Sequence, residues 1–241
     1  MLRKKAFCLL MTVSAFFGLM ACHAQRSAES AAHEQQDSSA SLGTSIHLKR
    51  ISEFNEPWAL AVLPDGRLLI TERSGQLILF NPIDQTKTLI RNIPKVAYGG
   101  QGGLGDIVLH PDFAQNHQIY LSYAEAGQGG YGAVVIRADL NLDQAQPQLD
   151  NLKMIWKQAP KVRGQGHYAH RMLFDGAGKL WISSGERQKF DPAQDLTSNL
   201  GKMIRLNDDG SVALDNPFQT QGDIAKQIWS LGHRNPLGMA L

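Results

Sequence analysis

His167, His170 and Glu186 bracket the stretch 164–187, GQGHYAHRMLFDGAGKLWISSGER. A histidine positioned by a carboxylate can take up a proton near neutral pH, which is the task of a general base. The residues between them read as a strand, a tight Asp175-Gly176 turn and a second strand. An antiparallel hairpin brings its two ends back together, so Glu186 is predicted to return beside His167. The plainer alternative, a structural or solvated loop histidine, stays open on spacing alone. His-x-x-His also suggests a metal pair, but residues three apart on a strand face opposite sides. Zinc would need a further ligand from elsewhere in a domain without cysteine, and no metal site is expected in this run.

Two more clusters could meet a ligand. Gly99–Gly105, GGQGGLG, holds five glycines in seven residues and precedes an apolar strand. Such a run lets backbone approach a bound group closely, and Gln101 is the side chain within it that can point at one. It lacks the Gly-Lys-Ser/Thr of a phosphate loop, and an adaptable connecting loop is the alternative. His233-Arg234-Asn235-Pro236 is the other cluster. Pro236 keeps Asn235 out of the helical region, and adjacent Arg and Asn donors on a stiff turn suit an anionic or carbonyl-bearing ligand. The alternative is an arginine bonded to loop carbonyls. Asp195, Lys202 and Arg205 read as surface pairs, and Trp58, Trp156, Trp181 and Trp229 as core.

These residues must be positioned by short strands. The 241-residue chain is 43% hydrophobic and 19% charged with 23 glycines, the mark of a soluble, turn-rich protein. Apolar runs at 59–63, 68–72 and 76–80 are separated by Pro64-Asp65-Gly66 and Ser74-Gly75. The pattern recurs at 107–109 and 119–123 around His110-Pro111-Asp112, and at 172–174 and 180–184 around Asp175-Gly176; 204–206 follows. Similar hairpins with connections of varying length suit an all-β propeller, with a β-sandwich as the alternative. A blade takes roughly 40–50 residues, so 46–241 holds about four. An open arc of that size leaves bare sheet edges, and a truncated product or fragment is expected.

The first residues read as a leader. Arg3, Lys4 and Lys5 precede an apolar run from Ala6 to Met20 that is too short to span a membrane comfortably. Leu19-Met20-Ala21-Cys22 resembles a bacterial lipobox, which implies removal of 1–21, lipid on Cys22 and export to the periplasmic side of a membrane; a plain signal peptide is the alternative. Residues 22–45 read as a flexible tether. Losing the leader turns the formal net charge of +2 into −1, because it carries three cations and no acid. A near-neutral domain without a basic run argues against nucleic acid as a partner. Of the two cysteines, Cys8 lies in the leader, so the domain itself has no disulfide.

GGQGGLGDIVLHPDF, the His167 stretch, AQDLTSNLGKMIRLNDDGSVALDNPF and IWSLGHRNPLGMAL, in this order, resemble the soluble quinoprotein glucose/sorbosone dehydrogenases, a family of PQQ-dependent aldose dehydrogenases. The resemblance implies a six-bladed β-propeller, here truncated to about four blades, that oxidises aldose sugars at C1 to lactones. It implies His167 as the base taking the C1 hydroxyl proton and Glu186 as the acid orienting it, a glutamate where relatives can carry Asp. Arg234 and Asn235 fall on the cofactor-facing pair, with Arg234 stabilising charge on the quinone, and Gln101 falls in the same pocket. Calcium and the remaining basic cofactor ligands are expected beyond Leu241, so this chain alone is expected to bind PQQ poorly. A soluble or membrane electron acceptor and a lipid-held membrane are the other implied partners. A non-catalytic envelope propeller binding sugars or proteins is the second reading.

Overall fold

Among the described residues, twelve strands form three four-stranded antiparallel sheets, each laid down in chain order. The computed structural model describes residues 48–240; the leader, Cys22 and the 22–45 tether lie outside them. The first sheet holds β1 (Pro57–Val62), β2 (Leu68–Glu72), β3 (Gln76–Phe80) and β4 (Lys87–Leu89). The second holds β5 (Leu104–Leu109), β6 (Gln118–Gly127), β7 (Gly130–Asn141) and β8 (Gln148–Lys157). The third holds β9 (Ala169–Phe174), β10 (Leu180–Ser184), β11 (Lys202–Leu206) and β12 (Ile228–Leu231). These are blade-like sheets. Three are complete among the described residues, and long connections such as 185–201 and 207–227 take up much of the remaining chain.

The hairpin turns fall where the sequence places them. The Leu63 N–H donates to the Arg67 carbonyl across the first turn, and Asp65 Oδ1 accepts the Arg67 N–H. Asp175 repeats the arrangement, accepting from the N–H groups of Ala177 and Lys179, the local bonding that makes aspartate a turn former.

The middle sheet is buried on both faces, and the period-two alternation of its strands divides two cores. Ile119, Leu121 and Tyr123 of β6, with Val134 and Ile136 of β7, pack with Leu69, Leu77 and Leu79 of the first sheet. Their neighbours Tyr120, Ala124, Ala133 and Val135 pack with Met172, Ile182 and Ile204 of the third. A register slip of one residue would exchange the two sets, so the two adjacent cores fix how β6 pairs with β7.

Two readings of charge and aromatics are corrected. Lys202 is fully buried and donates from Nζ to the carbonyls of Pro192 and Leu200; burial lowers its pKa to about 8. Arg205 is 7% exposed, bonds Asp215, and lies over the rings of Trp181 and Trp229. Lys202 is not a surface pair, because loop carbonyls meet its buried ammonium; Arg205 does pair, its buried guanidinium reaching the exposed carboxylate of Asp215. Trp181 and Trp229 accordingly flank a cation instead of filling apolar core.

Candidate active site

β9 and β10 pair with Ser184 opposite Ala169. Two residues beyond the ends of these strands lie Glu186 and His167, and the register shift between Ile182 and Ser184 brings them side by side. The chain crosses closely here: the Gly185 N–H donates to the Tyr168 carbonyl at 3.1 Å, and a Cβ on Gly185 would fall 1.9 Å from the His167 carbonyl oxygen. Only glycine fits that position. His167 Nδ1 bonds Glu186 Oε1, with the imidazole 13% and the carboxylate 2% exposed. Glu186 Oε2 accepts the Phe190 N–H at 2.7 Å. Burial raises the pKa of this carboxyl, but the bonds from His167 and from the backbone of Phe190, Gln188 and Lys189 outweigh it and hold the group below the usual glutamate range. An ionised carboxylate only accepts hydrogen bonds, so Nδ1 carries the proton. Nε2 is left as the nitrogen with an available lone pair.

The glycine-rich loop packs against this site from the second sheet. The Gln101 N–H donates to the Gln165 carbonyl at 2.7 Å, and Gln101 Oε1 accepts the His167 N–H at 2.7 Å. The glycines serve protein packing more than ligand approach, since a Cβ on Gly100 would lie 2.5 Å from the Gln165 carbonyl. Gln101 thus reaches the backbone of the candidate base, and its amide nitrogen is the part left to face outward.

The run after β12 closes along the same hairpin mouth. The Glu186 N–H donates to the Arg234 carbonyl at 2.9 Å, and Asn235 Oδ1 accepts the Ala169 N–H at 3.0 Å. Ser183 Oγ donates to the Pro236 carbonyl at 3.0 Å and Arg171 Nε to the Leu237 carbonyl at 2.9 Å. The Arg234 side chain is exposed, and among the described residues it forms no ion pair. His167, Glu186, Gln101, Arg234 and Asn235 therefore gather from three separate stretches of chain.

His170 goes elsewhere. Its ring is 2% exposed, lies 2.8 Å from Ser122 Oγ through Nδ1, and stacks on Trp58 at 5.0 Å between centroids. Burial, then the nearby charges of Arg171 and Arg187, lower its pKa to about 3, so it stays neutral. The two histidines of the His-x-x-His run serve different neighbours.

Asp106 escaped the sequence reading. This acid is 5% exposed and accepts from the N–H groups of Ile107 and Met172 and from Arg171 Nη1. Burial pushes its carboxyl up despite those bonds. The signal was an acid inside the apolar run Leu104–Leu109, where an unpaired charge would be costly. Asp106 ties the second sheet to β9 next to the site. A separate cavity of about 650 Å³, lined by Asp65, Asp139 and Asp150 among others, lies by the β1–β2 turn and the β7–β8 end, away from His167. Its bonded polar groups do not form a reactive constellation. Among the described residues no group of three or more His, Cys, Asp or Glu side chains is placed to hold a metal ion.

The geometry can be set against known proteins. The Glucose / Sorbosone dehydrogenase family model matches residues 54–241. The aldose sugar dehydrogenase YliI of Escherichia coli K12 is 39% identical over 190 residues, covering 78% of this chain and 51% of the relative. The crystal structure of the soluble aldose sugar dehydrogenase of Escherichia coli in its apo-form superposes with a TM-score of 0.74 at 41% identity, over 77% of this chain and 54% of that one. The PQQ-bound form of aldose sugar dehydrogenase from Streptomyces coelicolor gives 0.69 at 29% identity, over 78% and 54%. The chain spans about half the length of the curated relatives it matches.

Proposed function

The chain belongs to the glucose/sorbosone dehydrogenase family, and from that premise we propose that it carries the base and part of the quinone site of a PQQ-dependent oxidation of aldose sugars at C1. The observation that carries the proposal is the His167–Glu186 pair beside the Arg234-Asn235 turn. The donor set fits the cofactor: an exposed guanidinium without a carboxylate partner among the described residues and an adjacent amide are what an anionic quinone takes. Arg234 and Asn235 would hold it, with the Gln101 amide nitrogen available at the same loop. When bound, PQQ supplies the acceptor for the hydride leaving C1.

His167 Nε2 takes the C1 hydroxyl proton as the hydride departs, so the sugar loses both and closes its carbonyl as a lactone. Glu186 keeps the proton on Nδ1 and stabilises the imidazolium that forms. Gln101 fixes the His167 backbone from the opposite side. Arg234 places a fixed positive charge where negative charge grows. Among the described residues no cluster of three or more His, Cys, Asp or Glu side chains offers calcium a site, and no step is assigned to it.

Purified protein supplied with PQQ and an aldose tests this by reduction of an artificial electron-accepting dye. Turnover that requires both additions is expected, and it should be weak, because the described residues supply only part of the quinone site. PQQ binding without turnover would favour the non-catalytic propeller instead.

Export and a lipid anchor belong to the same proposal and rest on the leader and the Leu19–Cys22 run. Cys22→Ser should move the protein from the membrane fraction to the soluble periplasmic fraction on cell fractionation. A variant that remains membrane-bound would remove the anchor from the account.

A further inference from the structure

Arg187 follows Glu186 directly and is 1% exposed. A buried guanidinium is tolerated only when its donors are satisfied. Here Nε donates to the Gly166 carbonyl at 2.7 Å, Nη2 to the Gly164 carbonyl at 2.6 Å and Nη1 to the Tyr131 carbonyl at 2.6 Å. Its carbon Cζ lies 3.7 Å from the centroid of the Tyr168 ring. The Arg187 N–H adds a bond to the His167 carbonyl at 3.3 Å. Gly164, Gly166, His167 and Tyr168 are one loop, and Tyr131 is the strand residue behind it. Among the described residues Arg187 forms no ion pair, so its charge is met by carbonyls of the loop that carries His167.

That loop needs an external hold. His167 sits at φ 49, in the left-handed region, which a residue with a Cβ keeps only when its surroundings impose it. Gln101 grips the His167 N–H on one side. Arg187 grips the preceding carbonyls on the other.

We propose that Arg187 is the positioning residue of the base, locking the left-handed loop at His167 so that Nδ1 stays on Glu186 and Nε2 faces the substrate side; this rests on the reading of His167 as the base. The role is specific to arginine. Three carbonyls in three directions with a ring beneath need a planar fork of donors, and a lysine ammonium offers a single point and no stacking plane.

Nuclear magnetic resonance of the cofactor-free chain tests it. The probe is solvent exchange of the His167 Nδ1 proton in R187K and R187Q, with the His110 ring signals and circular dichroism as controls for the fold. In R187K the fold signals should persist while the His167 proton exchanges about tenfold faster or more, as for a local opening without global unfolding. In PQQ-loaded protein the same variant should lose about a hundredfold in kcat with the aldose KM little changed, the pattern of a misplaced catalytic group. Unchanged His167 exchange in a folded R187K or R187Q overturns the proposal. So does the loss of His110 signals and dichroism in both variants, which would make Arg187 a general stabiliser. The exchange readout needs neither cofactor nor sugar, so its failure is distinct from absent turnover in the parent protein, which would count against the dehydrogenase reading.

Discussion

His167→Ala is expected to lower kcat of the PQQ-loaded protein about a thousandfold, within the range that a positioned general base contributes. The aldose KM should change little, because the lost interaction is made with a proton that moves only in the transition state. The loop itself should survive. Its hold comes from Gln101 on the His167 N–H and from Arg187 on the neighbouring carbonyls, and both are backbone contacts that alanine keeps. Glu186 Oε1 loses its donor, so the melting temperature is expected to fall by a few degrees with the fold kept. Added imidazole should restore part of the activity by occupying the space left by the side chain. A variant that keeps a tenth or more of the parent kcat would show that the proton leaves by another route.

Glu186→Gln is expected to cost about a hundredfold in kcat with the site still assembled, again within the general-base range. The carboxylate accepts from His167 Nδ1 through Oε1 and from the Phe190 N–H through Oε2. An amide presents one acceptor and one donor group to those two donors. If its oxygen stays on the Phe190 N–H, its NH₂ faces Nδ1, the proton moves to Nε2, and the lone pair is no longer offered to the substrate. The substitution should also change the acid limb of stability. Glu186 has a folded pKa below its unfolded value, so its contribution is full above the ordinary glutamate range and fades as pH falls through the folded value. The stability gap between parent and E186Q should accordingly narrow on acidification. Denaturant unfolding at several pH values reads the gap, and stopped or steady dye reduction reads kcat. A gap that widens toward low pH would contradict the assigned ionisation.

The hairpin that joins Glu186 to His167 was legible in the sequence because the Asp175-Gly176 turn and the strand alternation fix where its ends return, but the pairing itself was not: the register at Leu180–Phe174 would set Glu186 opposite Tyr168, and a shift between Ile182 and Ser184 sets it opposite His167. The approach of Arg234 and Asn235 was not legible that way. It depends on where β12 ends and how the following run lies on the third sheet, which the resemblance supplied and local pattern could not. β7 went unread because the Gly127–Gly130 turn has no Asp, Asn or Pro to announce it, although Ala133–Ile136 is a continuous apolar run; β8 went unread because polar residues break up Gln148–Lys157 and much of it is exposed. Lys202 was misplaced because residue type suggests a surface, while its ammonium turns back to the carbonyls of Pro192 and Leu200 in the loop just before β11; the rings of Trp181 and Trp229 beside Arg205 come from the two strands that pair with β11. The glycines of 99–105 illustrate a different limit. Composition shows that something approaches closely there, but not that the neighbour is the His167 loop.

The proposed chemistry rests on five residues, His167, Glu186, Gln101, Arg234 and Asn235, brought to one mouth by three stretches of chain. Its most direct test is a crystal structure of the protein with PQQ and an aldose bound. The account predicts the C1 hydroxyl within hydrogen-bond reach of His167 Nε2, about 2.6–3.2 Å, with the quinone oxygens toward the Arg234 guanidinium. A quinone seated with His167 Nε2 and Arg234 on unrelated faces, or a sugar whose C1 turns away from the imidazole, would contradict it.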